Sequence, residues 1–278
     1  MASSSIISVG RTDVVRDFPL RSQAIYTMFL HQPCPVCDAL STPLDVVDFN
    51  KSCEEVHGKY LPMLGLPVYY AVCQECGFCF APEFSQWTLD DFAVRIYNSD
   101  YAQVDPAYIE VRPRAYANDL AQMLGDGARY IRHLDYGGGN GLLSSLMNDS
   151  GWKSSSYDPF VDGELRPAEL GRFDLITAFE VFEHVPDVRR LVSDLSALLA
   201  KDGIVLFSTL LSDGNIAPHQ RLSWWYASPR NGHISLFSKA SLAILGAKEG
   251  FSFRSFSPNF HVFWKTVPAW ASHLIAAD

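Results

Sequence analysis

Three groups of residues combine the types and spacings that chemistry needs. The first is Leu134-Asp135-Tyr136-Gly137-Gly138-Gly139-Asn140-Gly141. Glycines let a chain turn sharply and let a ligand lie against the backbone. A dinucleotide turn of the form G-x-G-x-x-G, begun at Gly137 and Gly139, requires glycine at 142, where the chain has Leu142. The pattern here is D-x-G-x-G-x-G, with Asp135 two residues ahead of the first glycine. That acid repels pyrophosphate and welcomes a ligand with an amino group. The plain alternative is a generic strand-to-helix turn. The second group is two knuckles, Cys34-Pro35-Val36-Cys37 and Cys73-Gln74-Glu75-Cys76. A two-residue spacer puts both thiolates on one face of a tight turn, and two such turns supply a tetrahedral four-cysteine site for one structural zinc. Reduced core cysteines are the alternative, whereas a catalytic dithiol needs only one pair. Cys53 and Cys79 stand outside the knuckles and are read as buried or free, with replacement of a ligand by Cys53 as the alternative. The third group holds candidate bases: Glu180, Glu183 and His184, then a polar and aromatic run from His219 to His233 with Trp224, Trp225, Tyr226, Arg230 and Asn231.

These residues need a frame. Tyr130 to Asp135 is a predicted strand running into the glycine turn, and Leu142, Leu143, Leu146 and Met147 follow at helical spacing. Ser154 to Tyr157 is a second strand, stopping at Asp158-Pro159. Phe173 to Phe179 is a third, stopping at Glu180. A helix is predicted over 186–200, a strand over 204–210 opened by Gly203, and a helix over 238–248 capped by Ser238. Phe251 to Phe256 and Phe260 to Trp264 read as a closing hairpin. Alternating strands and helices imply an α/β fold, a Rossmann-like, doubly wound, mostly parallel sheet with a C-terminal antiparallel hairpin. Upstream, Thr88 and Asp91 cap a helix, and Pro113 to Leu124 is another, ended by Gly125 and Gly127.

In such sheets ligands bind beyond the carboxyl ends of the strands. Asp158 then stands where both ribose hydroxyls of a nucleoside can be accepted. A nucleoside without phosphates but with a positive charge meets these demands, and S-adenosylmethionine is such a molecule. From about 130 to 265 the chain resembles class I S-adenosylmethionine-dependent methyltransferases. Asp135, Gly137, Gly139 and Gly141 match that family's first motif, Asp158 its ribose acid, and Phe173 to Val185 its fourth-strand motif. The resemblance implies a cofactor site of Asp135, Tyr136, Gly137, Gly138, Gly139, Gly141, Asp158 and Pro159. Glu180 and Tyr101 would face the cofactor or the acceptor, and Asp162 would stand in for the family's adenine contact. Only about 14 residues separate Asp158 from Phe173, so the family's third strand is expected to be short or missing.

Joined to a zinc-ribbon-like N-terminal region, this domain resembles sugar C-methyltransferases and related enzymes of polysaccharide and antibiotic-sugar pathways. That resemblance implies a sugar, nucleotide sugar or glycan end as acceptor. Trp224, Trp225 and Tyr226 would recognise it and His233 would serve as base, with Tyr226 and His184 behind it. The plain readings are that His233 is a helix-entry hydrogen bonder, that His184 is structural, and that Tyr97 and Tyr101 are an i, i+4 packing pair. A protein or RNA methyltransferase docking through its ribbon, and a non-catalytic scaffold, are the competing functions.

The 278 residues carry 31 acidic and 22 basic side chains, a net charge of −9 with no basic run. This disfavours nucleic acid as a partner. No apolar stretch reaches the roughly 18 residues of a membrane span, and the start of the chain is a poor signal peptide. A cytoplasmic protein is the expectation, which favours metal or free thiols over disulfides. The expected organisation is a flexible segment over 1–32, a zinc-binding region over 33–85, a helical linker or lid over 86–128, and a methyltransferase domain over 129–278.

Overall fold

The computed structural model describes residues 32–125, 129–163 and 167–275. The expected flexible segment up to residue 31, and Gly127 as a helix stop, lie outside them. The main sheet has six strands: β4 (Arg132–Tyr136), β5 (Lys153–Tyr157), β6 (Phe173–Phe179), β7 (Leu199–Ser208), β9 (Ser252–Ser257) and β10 (Phe260–Trp264). Their order is β5-β4-β6-β7-β10-β9. The first four are mutually parallel, and the hairpin β9–β10 adds antiparallel to β7. Among the described residues no strand forms between β5 and β6, only the short 3-10 turn Pro167–Glu169. The chain therefore leaves β4 towards β5 and returns to β6 on the other side. That reversal opens a crevice above the carboxyl ends of β4 and β6.

The helix Val188–Leu198 buries Val188, Leu191, Val192, Leu195 and Leu198 on one face, and Asp187 caps it by accepting from the Arg190 amide. It ends two residues earlier than the sequence pattern indicates. β7 starts at Leu199, not at 204, and stops at Ser208, not at 210. The reason lies at Gly203, where pairing with β6 is irregular and a Cβ would fall 2.8 Å from the Asp174 carbonyl oxygen. The glycine sits within a bulged strand rather than opening one. The helix Leu89–Arg95 has the expected capping box, with Thr88 and Asp91 bonded reciprocally.

A second sheet, β1 (Ser41–Asp48), β2 (Pro67–Cys73), β3 (Cys79–Phe80) and β8 (Ser235–Leu236), is antiparallel throughout. Its fourth strand comes from the segment after β7. Cys34, Val36, Phe78 and Phe80 share one apolar core with Phe182, Phe207 and Phe237. The cysteine-bearing region is thus built into the larger unit.

Candidate active site and cysteine cluster

Gly137, Gly139 and Gly141 all adopt positive φ, which side chains resist. The Gly137 amide donates to the Tyr157 carbonyl at 2.7 Å. At Gly138 a Cβ would lie 2.2 Å from Ser156 Oγ and 2.6 Å from Asp135 Oδ2, so nothing larger fits. Asp135 is buried under this turn and accepts from Thr177 Oγ1 at 2.8 Å. Burial pushes its carboxyl up to about 7 against that hydrogen bond. Asp158 lies across the turn, accepting from the Gly139 amide at 2.9 Å and the Phe160 amide at 2.8 Å. Two carboxylates therefore flank the glycine turn.

Tyr136 turns its ring into the core beside Tyr157, so only its backbone belongs to the turn. Pro159 begins the turn after β5 and is half-buried. Asp162 folds back to accept from the Asp158 amide at 2.7 Å, which commits one of its oxygens to the turn.

At the end of β6, Glu180 has φ 54°, a strained backbone for a non-glycine residue. Its carboxylate accepts from Tyr116 Oη at 3.1 Å and Ser208 Oγ at 3.2 Å, with Arg112 Nη1 at 3.6 Å. Arg112 is anchored to Asp105 at 2.5 Å. The sequence reading singled out neither Arg112 nor Tyr116. Both lie in the first two turns of the helix Val111–Leu124, and no local pattern announces that they reach the end of β6.

Behind Glu180 lies a buried box of polar side chains. Glu183 is fully buried and accepts from Tyr226 Oη at 2.6 Å. Burial, with the Glu180 charge adding to it, pushes the Glu183 carboxyl up to about 8. The His184 and His233 rings meet edge to face at 4.9 Å, and Tyr226 lies 4.1 Å from His233. His233 Nδ1 lies 2.9 Å from the Tyr226 carbonyl. A carbonyl only accepts, so the proton is on Nδ1 and the lone pair on Nε2. Burial lowers His184 to about 3 and His233 well below its ordinary value, leaving both neutral. Glu183 Oε2, His184 Nδ1 and Thr209 Oγ1 are buried without a protein partner. Such atoms call for water or a ligand.

Of the aromatic run, Trp224 and Tyr226 are core residues packed with Leu222, Ile234 and Leu236, whereas Trp225 is half-buried. Tyr97 and Tyr101 do meet edge to face at 5.1 Å, but not along one helix. The helices Leu89–Arg95 and Tyr101–Val104 break between them. Tyr101 Oη donates to the Asn231 carbonyl at 3.2 Å, and Tyr97 meets Phe160, beside Asp158, at 5.0 Å. Cys53 enters this region unannounced: its amide donates to Asn231 Oδ1 at 2.9 Å and its Sγ is 3.6 Å from His233 Nδ1.

The knuckles converge as their spacing requires. Cys34 Sγ is 3.6 Å from Cys76 Sγ, and Cys37 Sγ 3.4 Å from Cys73 Sγ. All four sulfurs lie within 4.8 Å of one another. Four sulfurs at about 2.3 Å from a tetrahedral zinc stand roughly 3.8 Å apart, so the cluster fits that ion. Hydrogen bonding from Cys76 lowers the Cys34 thiol to about 5. Cys79 is buried in β3, and Cys53 does not join the cluster. Ser238, which caps the helix Lys239–Lys248, also donates to the Cys76 carbonyl. Arg189 and Lys248 bind Asp38 at 2.6 Å and 3.0 Å, clasping the first knuckle to the main unit.

A sheet reversed between β4 and β6, with a glycine turn between two carboxylates, is the architecture of a nucleoside-binding α/β enzyme. The family profile described as "Methyltransferase domain" matches residues 108–255, just over half of the chain, and the chain belongs to this family. A ubiquinone biosynthesis O-methyltransferase of Actinobacillus pleuropneumoniae serotype 7 (strain AP76) is 27% identical over 120 residues, covering 33% of this chain and 51% of the relative. One named the same way from Coxiella burnetii (strain Dugway 5J108-111) is 41% identical over 49 residues, covering 18% and 21%. The chain spans about half the length, or less, of these curated relatives. An O-methyltransferase family protein of Burkholderia thailandensis aligns in structure with TM-score 0.46 and 14% identity over 64% of this chain and 63% of that one. Among the described residues no helix is long and apolar enough to cross a membrane.

Proposed function

We infer that the protein transfers a methyl group from S-adenosylmethionine to a small-molecule acceptor. The observation that carries this reading is the glycine turn held between Asp135 and Asp158 at the sheet reversal, inside a chain of the methyltransferase-domain family. When bound, S-adenosylmethionine supplies a methyl on positively charged sulfur, so the protein's main task is positioning. Gly137 to Gly141 would form the floor. Asp158 would accept ribose hydroxyls on its remaining lone pairs, and Asp135 would supply negative charge beneath the turn. Glu180, with Arg112 and Tyr116, would border the methionine side. His233, with its lone pair on Nε2, is the base we propose for a hydroxyl or carbon acid, and Glu183 and Tyr226 would hold the ring pair in place. Cys34, Cys37, Cys73 and Cys76 would hold one zinc with no open position, a structural role.

The finer acceptor class we propose is a sugar, nucleotide sugar or glycan end. Support comes from the pairing of a cysteine cluster with this domain, which resembles sugar C-methyltransferases. The burial of Trp224 and Tyr226 leaves Trp225 as the aromatic of that run able to stack, and the relatives' names, ubiquinone biosynthesis O-methyltransferases, point instead to an oxygen acceptor. Calorimetry with S-adenosylmethionine and S-adenosylhomocysteine tests the cofactor. Binding is expected in the wild type and absent in Asp158→Ala, with the metal content of both unchanged. No heat with either nucleoside would refute the reading. Mass analysis after incubation with nucleotide sugars and with catechols decides the acceptor class.

A further inference from the structure

The segment joining β1 to β2 has two ends with different characters. Its first residues enter the buried box. Lys51 Nζ donates to the Trp224 carbonyl at 2.8 Å, and Cys53 reaches Asn231 and His233. Its remainder, residues 56–66, is exposed at every position. Six of those residues are large and apolar: Val56, Tyr60, Leu61, Met63, Leu64 and Leu66, with Met63 82% and Tyr60 72% exposed. Apolar side chains left in water in such a run mark an interaction surface.

This run is held out by its own backbone bonds. Asp48 accepts from the Asn50 and Leu64 amides through Oδ1 and from the Gly65 amide through Oδ2. Asn50 Nδ2 donates to the Pro62 carbonyl at 2.7 Å, and the Phe49 amide to the Leu66 carbonyl at 2.9 Å. The tip is therefore a fixed protrusion.

Charge narrows the occupant. Residues 56–66 contain no carboxylate, although the chain carries 31, and their only fixed charge is Lys59, which pairs with Glu54 at 2.7 Å at the base of the run. A protruding tip of Leu and Met, with a tyrosine that is apolar in body and polar at one end and a lysine able to reach back to water, matches a bilayer interface. We propose that residues 56–66 insert into the surface of a lipid bilayer and hold the protein there as a peripheral protein. The base of the same segment touches Asn231 and His233, so the candidate acceptor side is kept near that surface. The docking rests on the exposed tip alone and stands or falls separately from the methyl-transfer reading.

The test is sedimentation of the full chain with phosphatidylcholine vesicles, compared with a Met63→Asp/Leu64→Asp variant. Both substituted residues are solvent-exposed, so the variant should keep its melting temperature and its S-adenosylmethionine affinity. The wild type is expected to sediment with the vesicles and the variant to partition at least tenfold more weakly. Amide exchange over 58–66 should slow on vesicles in the wild type only. A wild type left in the supernatant, or a variant bound within twofold of it, overturns the proposal. So does protection that appears only elsewhere. Self-association that the two substitutions abolish, without lipid binding, would assign the tip to a second copy and overturn it equally.

Discussion

Asp135 offers the sharpest test of the cofactor site, because its burial ties ligand affinity to pH. Its carboxyl is held near 7 by burial, with the Thr177 hydroxyl as its one opposing hydrogen bond. A cationic nucleoside selects the ionised form. At pH 6 about one-tenth of the empty protein carries that charge, and at pH 8 about nine-tenths. Affinity for S-adenosylmethionine should therefore rise roughly tenfold from pH 6 to pH 8, with about half a proton released at pH 7. Titration calorimetry in two buffers of different ionisation heat measures both quantities. Asp135→Asn removes the ionisable group while keeping an acceptor for Thr177, and it should bind weakly at every pH.

The same substitution has an opposite effect on the empty protein. The folded pKa of Asp135 lies above the unfolded value of about 3.9, so the folded state holds the proton more tightly. The resulting penalty is absent below about pH 4, grows between about pH 4 and 7, and is complete above that. Its ceiling is on the order of 4 kcal/mol. Asp135→Asn should therefore melt several degrees above the wild type at pH 8 and level with it at pH 4. The difference between the two proteins cancels the parallel contribution of Glu183, whose carboxyl is raised to about 8. A wild-type affinity flat from pH 6 to 8, or an Asn variant no more stable at pH 8, would refute the argument that this buried acid is poised for a cation.

Metal analysis should find about one zinc per chain, and Cys73→Ser should lose it together with several degrees of melting temperature; a metal-free preparation of full stability would exclude the ribbon. His233→Ala should slow turnover by roughly 10²-fold while leaving S-adenosylmethionine affinity within twofold, and a full-speed variant would dismiss His233 as base. Gly138→Ala would place a methyl 2.2 Å from Ser156 Oγ and 2.6 Å from Asp135 Oδ2. We expect at least tenfold weaker cofactor binding, with Gly139→Ala less severe on contact grounds because open space faces it. A Gly138→Ala protein that binds within twofold of the wild type would mean that the turn tolerates a side chain that the packing forbids.

Local pattern made the nucleotide-side elements readable. β5 and β6 stop just before Asp158 and Glu180, as expected, and β4 runs one residue past Asp135 to Tyr136, because each strand is cut by a turn or an acid. The knuckles were equally plain, since the two-residue spacer is itself the geometry. What stayed hidden depends on contacts between distant residues. β8 is only Ser235–Leu236, and it is a strand because Cys79–Phe80 lies beside it. Tyr226 read as an acceptor-facing aromatic and second candidate base, and its burial follows from Glu183, 43 residues away, which accepts from its hydroxyl. Arg112 and Tyr116 meet Glu180 only because their helix reaches the carboxyl end of β6. β1 and β2 were missed for another reason. In β1 polar residues, Pro43 and a bulge at Pro43/Asp45 blur the two-residue alternation, and β2 is buried along most of its length and so shows none.

The cysteine cluster and the buried box are mechanically one object. β3 pairs with β2 on one side and with β8 on the other, and β8 follows His233 by one residue. Tyr70 of β2 donates to the His233 carbonyl at 2.7 Å, and the Ala81 amide to the Ile234 carbonyl at 2.9 Å. The Ile234 amide in turn donates to the Glu183 carbonyl at 2.9 Å. A displaced knuckle would pull β2 and β3, and with them the backbone that sets the His233 ring against His184. A ring displaced by about 1 Å is enough to cost a reaction that depends on alignment. Loss of the metal should therefore slow turnover through position, leaving the glycine turn and its affinity for the nucleoside largely intact. A chelated enzyme that binds S-adenosylmethionine normally yet turns over slowly would express that coupling. One that loses binding and turnover together would show instead that the cluster stabilises the whole fold without selecting the geometry of the site.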